Sequence, residues 1–255
     1  MVPVVFGEEI WYFPSLERGM EKAKELIKLY PRTANGRILW IGEVLKAKGR
    51  FQRRWYAEKG GLWLVITLYD ELIETHRNLL ALLIGLSLVR AVRDLGAKEV
   101  YLKWINDLHF RGRKLAGTLI EYWKGWFIIG VGLNVNNNLP KFLPAISLKE
   151  ILKREVSLST VLSLIINYIN YYYHLLWNYD LQSLYEEKLP NPLILEFKKY
   201  SDTLGRCVFY HYNLDGEESE GLFAKAVDLD SDGSLILEYE EELLKVSTGE
   251  ILYIY

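Results

Sequence analysis

The sequence predicts an α+β protein, with a mixed sheet and flanking helices over residues 1–200 and a small β module over residues 201–255. Three observations carry this. Strand-like alternation and helix-like spacing of apolar residues are interleaved through the first part of the chain. The turn Lys124-Gly125 separates two long alternating runs, as in a β-hairpin. After Tyr200 helical spacing gives way to short strands between turn residues.

In order, residues 16–29 read as a helix, 38–45 as a strand and 46–61 as a basic loop containing glycine. Residues 62–69 alternate as a strand. Residues 76–95 are strongly helical, with Leu79, Leu82, Leu83, Leu86, Val89 and Val92 on one face and Gly96 as the stop. Their apolar length is short for a membrane span, and Arg77 and Arg90 bound them. Residues 100–103 form a strand, a short polar turn follows Asp107, and residues 115–123 and 126–135 make the hairpin. Residues 157–179 contain no charged side chain, which raises a transmembrane reading. Their helical spacing leaves a polar face of Ser159, Ser163, Asn167, Asn170 and His174, so an amphipathic core helix is expected. Leu189-Pro190-Asn191-Pro192 breaks regular structure, and turns at Asp215-Gly216, Asp232-Gly233 and Thr248-Gly249 give the last module a barrel-like rhythm.

Composition excludes several functions. With 31 basic and 33 acidic residues, the chain lacks the net positive field that drives nonspecific nucleic-acid binding. Cys207 is the single cysteine, which rules out an internal disulfide, and the four histidines have no zinc-ligand spacing. Glu8 and Glu9 interrupt any signal peptide, so a cytoplasmic protein with no membrane partner is expected.

Chemistry concentrates in three segments. Lys103-Trp104-Ile105-Asn106-Asp107 and Arg113-Lys114-Leu115-Ala116-Gly117 gather cations, an amide and a carboxylate at strand ends, as a phosphate-handling site requires. The loop Lys46, Lys48, Gly49, Arg50, Arg53, Arg54, Trp55 interleaves cations with a glycine that would let a polyphosphate approach the backbone; its plainer reading is a solvated basic turn. Gly130-Val131-Gly132-Leu133-Asn134 lacks the third glycine and following helix of a dinucleotide turn, so its glycines signify close packing by a neighbour or ligand.

Taken in order, Lys-Gly-Arg…Arg-Arg-Trp, Gly-Gly-Leu-Trp-Leu from Gly60, Lys-Trp-Ile-Asn-Asp, Arg-Lys-Leu-Ala-Gly-Thr-Leu-Ile-Glu and Gly-Val-Gly-Leu-Asn-Val-Asn-Asn resemble the biotin protein ligases over nearly the whole chain. The resemblance implies a catalytic domain like that of class II aminoacyl-tRNA synthetases, closed by an SH3-like module. It fits the monofunctional type, since ten residues before Trp11 leave no room for a DNA-binding winged helix. It implies that ATP, with Mg²⁺, activates biotin as biotinyl-adenylate, which passes to a lysine of a biotin carboxyl carrier protein.

By that match Lys114 contacts the carboxylate and α-phosphate, Arg50 and Arg53 the phosphates and the product adenylate, and Lys48 supports them; Lys103 and Gly49 also count among the ligand-binding residues. Asn106 and Asp107 orient substrate, Asp107 also holding the metal. Trp55 walls the adenine, Asn134 lies near the ribose or adenine, and Gly61, Leu62, Trp63, Gly117 and Gly132 line the ligand slot. Each has a structural rival: Lys114 as an exposed strand-start lysine, Asp107 as a turn cap, Trp63 and Trp104 as core, the glycines as packing.

The departures from the pattern fall on ligand recognition. The family's Gly-Arg-Gly-Arg-x-Gly-Arg is here Ala47-Lys48-Gly49-Arg50-Phe51-Gln52-Arg53, and lysine lacks arginine's bidentate geometry. Arg18-Gly19-Met20 replaces the Ser-Thr-Asn that contacts the biotin ureido ring, Leu45 stands near the place of a biotin-binding glutamine, and Ile105 replaces a proline. Each unpaired ureido group would cost about 1–3 kcal/mol. The alternatives are therefore a ligase for another acid, such as lipoate or octanoate, and a non-catalytic ligand- or carrier-binding homologue. A homodimer is expected by resemblance, with residues 62–68 as the candidate strand.

Overall fold

A computed structural model describes residues 3–186, 189–214, 217–218 and 221–254. The first part is built from β1 (Ile10–Phe13), α1 (Gly19–Leu29), β2 (Ile38–Ile41), β3 (Leu62–Tyr69), α2 (Leu79–Asp94), β4 (Tyr101–Lys103), β5 (Asp107–Phe110), β6 (Arg113–Trp123) and β7 (Trp126–Leu133). The helices α3 (Leu148–Leu152), α4 (Leu158–Gln182) and α5 (Pro192–Tyr200) follow. The seven strands form one sheet in the order β1-β2-β3-β7-β6-β5-β4. Only β1 and β2 run parallel, so the sheet is mixed as predicted.

Alternation decides which face each residue takes. Leu62, Leu64 and Ile66 of β3 join Ile129, Val131 and Leu133 of β7 beneath α2 and α4 in the larger core. Trp63 and Val65 face the other way, toward Ala23, Leu26 and Ile27 of α1. The glycines of β7, between Ile129 and Leu133, fall on this second face and leave it hollow. A slot therefore opens between α1 and the sheet.

Several expected boundaries move. The strand expected to reach residue 45 ends at Ile41, because the Gly42 amide turns to the Phe13 carbonyl at 2.9 Å. The helix expected from residue 16 starts at Gly19, since Leu16 is engaged in a bridge with Val44. The polar turn after Asp107 is strand β5, and the chain reverses at Arg111-Gly112, where both residues have positive φ. The expected break at residues 189–192 is also a helix start, with Pro192 the first residue of α5: Asn191 Oδ1 accepts from the Leu193 amide at 2.9 Å and caps the helix. Residues 62–68 cannot be a dimerising edge, because β3 is paired with β2 on one side and β7 on the other.

The helical stretch Glu74–Asp94 is long and apolar enough to cross a bilayer by length and composition, contrary to expectation, but 72% of its apolar window is buried in the protein. The uncharged helix α4 is amphipathic, burying Val161, Leu162, Ile165, Ile169, Tyr172 and Leu176.

The C-terminal module adds β8 (Cys207–His211), β9 (Asn213–Leu214), β10 (Glu217–Glu218), β11 (Leu222–Leu229), β12 (Leu235–Tyr239), β13 (Glu242–Val246) and β14 (Glu250–Tyr253). Five of these form an antiparallel sheet in the order β13-β12-β11-β8-β14, while β9 and β10 pair with each other. Gly233 and Gly249 adopt left-handed backbone at two of the expected turns. The turn expected at Asp215-Gly216 lies outside the described residues. Trp104 ties the module to the large sheet, its indole donating to the Gly233 carbonyl at 3.1 Å and its amide to Thr203 Oγ1 at 3.0 Å.

Candidate active site

A cavity of about 970 Å³ runs along the α1 face of the sheet and under the edge of β14. Of the candidate residues, Lys48, Gly49, Arg50, Arg53, Trp55, Trp63, Lys103, Asn106, Asp107, Lys114, Gly117, Gly132 and Asn134 all line it. Gly61 and Leu62 do not. Leu62 is fully buried in the larger core on the opposite face, and Gly61 lies against the Trp63 ring.

The basic loop is a folded turn. The Gly49 amide donates to the Arg53 carbonyl at 2.8 Å, and the Trp55 amide to Ala47 at 3.0 Å. Phe51 and Gln52 take left-handed backbone, φ 53° and 56°. Gln52 stands where the family pattern has glycine, the residue for which that conformation costs least. Its side-chain oxygen accepts from Lys48 at 2.6 Å, and the Phe51 ring lies 5.1 Å from the Arg50 guanidinium and 5.5 Å from that of Arg53. This is more structure than a solvated basic turn needs.

The β5–β6 pair supplies the centre. Lys114 Nζ lies 2.7 Å from Asp107 Oδ1 and 5.4 Å from the Trp55 ring. Asn106 Nδ2 donates to the Thr118 carbonyl at 2.5 Å, so the Asn106 side chain fastens the turn before β5 to β6. Burial lowers the proton affinity of Lys103 and of Arg50, and the charges of Asp107 and Glu250 offset this in part. The four cations Arg50, Arg53, Lys103 and Lys114 thus face one space around one aspartate.

Trp55 packs against β7 because Gly132 has no side chain; a Cβ there would lie 2.8 Å from the indole. Trp55 Nε1 is buried without a hydrogen-bond partner. Asn134 accepts from Asn137 Nδ2 at 3.1 Å, and Leu139, Leu143, Pro144 and Ala145 complete a largely apolar wall. At the other end, Met20 of α1 fills the space above Gly130, its sulfur 3.2 Å from where a Cβ would stand. Ile41, Val44, Val65 and Leu119 line the same slot, and Lys24 closes it, paired at 2.8 Å with both Glu21 and Glu121. Val44 rather than Leu45 faces the slot, Leu45 being 61% exposed.

The part played by β14 has no counterpart in the sequence motifs. Glu250 Oε1 accepts from Arg53 Nη1 at 2.7 Å, and the Gly249 carbonyl from Arg50 Nη2 at 2.6 Å. The Tyr253 ring sits 5.3 Å from Lys103 Nζ. These residues follow the basic loop by nearly two hundred positions, and no local pattern marks them.

Residues 46–138 match the biotin/lipoate A/B protein ligase family. The bifunctional ligase/repressor BirA of Bacillus subtilis is 25% identical over 97% of this chain and 74% of its own length. The biotin–[acetyl-CoA-carboxylase] ligase of Mycobacterium tuberculosis is 28% identical over 69% of this chain and 62% of its own. Among solved structures, the biotin protein ligase from Aquifex aeolicus in complex with biotin and ATP superposes with a TM-score of 0.80 at 24% identity, covering 97% of this chain and 99% of that one. Motif order and fold agree with these findings: residues 46–138 match the biotin/lipoate A/B protein ligase family, and the chain is similar over nearly its whole length to a bifunctional ligase/repressor and shares the fold of biotin protein ligases.

Proposed function

We propose that this protein activates biotin with ATP and transfers it to a lysine of a biotin carboxyl carrier protein. The observation that carries this reading is the convergence of Arg50, Arg53, Lys103 and Lys114 on Asp107 where the slot under α1 meets the wall at Trp55. One end suits an acid's tail, the other a purine, and the cations lie between.

In the first step a biotin carboxylate oxygen attacks the α-phosphorus of ATP, the bond to the bridging oxygen breaks, and pyrophosphate leaves. Both reactants are anionic, so fixed cations supply the main stabilisation. Lys114 meets the carboxylate and α-phosphate, while Arg50, Arg53 and Lys103 take the leaving phosphates. Trp55 stacks on the adenine, and its unpaired Nε1 offers a donor. In the second step the carrier's lysine amine attacks the acyl carbonyl and AMP departs with the bonding pair.

The described residues contain no group of three or more His, Cys, Asp or Glu able to hold a metal. This suits Mg²⁺, which binds through one or two carboxylates plus substrate phosphates, and Asp107 is the carboxylate in place. Bound there, Mg²⁺ would neutralise charge on the phosphates.

A second reading is favoured by the slot itself. Met20, Ile41, Val44, Val65 and Leu119 offer no side-chain hydrogen bond to a ureido ring, which suits an acid with an apolar tail such as octanoate or lipoate. Pyrophosphate exchange with each acid in turn tests both. Exchange with biotin supports the first reading, and exchange with octanoate or lipoate alone the second. No exchange with any acid, beside tight binding of a carrier domain, would establish the non-catalytic homologue instead.

A further inference from the structure

The arginines assigned to the phosphates already hold acceptors, one of them an anion. Arg53 donates to Glu250 and Arg50 to the Gly249 carbonyl, both on the turn that opens β14. That turn is firmly built. Gly249 has φ 108°, and a side chain there would strike the Tyr210 ring at 2.5 Å. The Tyr210 hydroxyl donates to the Thr248 carbonyl at 3.0 Å, and Glu250 stands opposite His211 in the β14–β8 ladder.

Glu250 does not merely rest on the surface. Its side chain is 23% exposed, and Oε2 is buried without a hydrogen bond, with His211 Nε2 at 3.4 Å but poorly oriented. Burial favours its neutral form, yet the Arg53 hydrogen bond and the charges of Arg53, His211 and Lys103 hold it below the usual glutamate range. A carboxylate therefore occupies the cation cluster.

We propose that Glu250 and the Gly249 carbonyl act as a built-in anion in the phosphate subsite, which the nucleotide's triphosphate displaces, releasing the 248–250 turn from the loop at 46–55. This rests on the reading that Arg50 and Arg53 bind the triphosphate. The triphosphate competes with the Glu250 carboxylate for the Arg53 guanidinium and with the Gly249 carbonyl for that of Arg50. The C-terminal sheet keeps the loop folded while the site is empty, and its hold is exchanged for the nucleotide's. Glu250 is thus a positioning residue.

The test is calorimetric titration of ATP with Mg²⁺, without any acid, into the full chain and its Glu250→Gln and Glu250→Asp variants. Gln keeps the shape and removes the charge, so Kd for ATP is expected to fall about threefold to tenfold, with Asp near wild type. Hydrogen exchange on the unaltered protein supplies a readout that needs no variant: Mg²⁺-ATP should speed exchange at residues 249–253. Weaker or unchanged ATP binding by Glu250→Gln, or slower exchange at 249–253, overturns the proposal and makes Glu250 a simple prop of the loop. If ATP binds the unaltered protein normally, that failure leaves the proposed function standing. If ATP does not bind at all, both fall.

Discussion

Lys114 Nζ reaches Asp107 Oδ1 at 2.7 Å by crossing over Gly117, the residue directly opposite Asp107 in the β5–β6 ladder. The lysine folds back along its own strand over the bare backbone. The pair presents one cation and one carboxylate at the point where acid and α-phosphate would meet.

Replacing Lys114 by alanine should reduce pyrophosphate exchange by about 10²–10³-fold, the scale for removing a group that stabilises transition-state charge. Stability should change little, since Lys114 is 39% exposed and such pairs contribute about 0–1 kcal/mol. Exchange assays beside thermal melts check this. Wild-type exchange in the variant would reduce Lys114 to an ordinary surface lysine.

Gly117→Ala is a finer probe of the same relationship. A Cβ would lie 2.9 Å from Lys114 Cε, 3.1 Å from Nζ and 3.3 Å from Asp107 Oδ1. The obstruction is the flexible end of a side chain, so the fold should survive while the ammonium is displaced. A misplacement of about 1 Å can cost on the order of 10²-fold in rate. The variant should melt near wild type yet lose at least about tenfold in exchange; equal losses of stability and rate would contradict the argument.

The large elements were legible because each repeats a period: β3 and the β6–β7 hairpin fall where alternation placed them, and α4 overruns its expected end by three residues. The cation centre was legible as well, since its residues cluster at the ends of neighbouring strands. What the sequence hid was contact across distance. Nothing near Glu250 marks it as Arg53's partner, because pairing of β14 with β8 and the placement of that sheet are tertiary outcomes. Strand β5 was hidden for another reason: Asp107–Phe110 is too short for alternation to register, and its polar residues face the site and the C-terminal module.

Lys103 should limit nucleotide capture at alkaline pH. Burial lowers its pKa, so on raising pH it loses its charge before an ordinary lysine would. Bound phosphates would favour the charged form, so the loss should appear in kcat/KM for ATP, which reports the free enzyme, more than in kcat. Lys103→Arg, charged at all accessible pH, should move the alkaline limb upward even if the rate falls. A pH profile that keeps the same limb in both proteins would assign it to another group.

Asp202 joins the two sheets and should make their union sensitive to acid. Its carboxylate accepts from His109 Nε2 of β5 at 2.8 Å, from the Tyr253 hydroxyl of β14 at 2.9 Å and from Arg206 Nη2 at 2.8 Å. Burial works against its charge, but the His109 and Tyr253 hydrogen bonds and the Arg206 charge prevail and lower its pKa. A depressed carboxylate contributes stability that is fully present above its unfolded pKa, about 3.9, and is lost as pH falls through the folded value. Asp202→Asn should therefore destabilise by about 1–3 kcal/mol at neutral pH, and by progressively less as pH falls below about 4. Urea unfolding of both proteins across that range decides it. A gap that stays constant with pH would mean that shape, and not charge, is what Asp202 supplies. Because Tyr253 and Glu250 share one short strand, loosening this joint should also release part of the hold on Arg53, so the variant's ATP affinity should shift in the direction expected for Glu250→Gln.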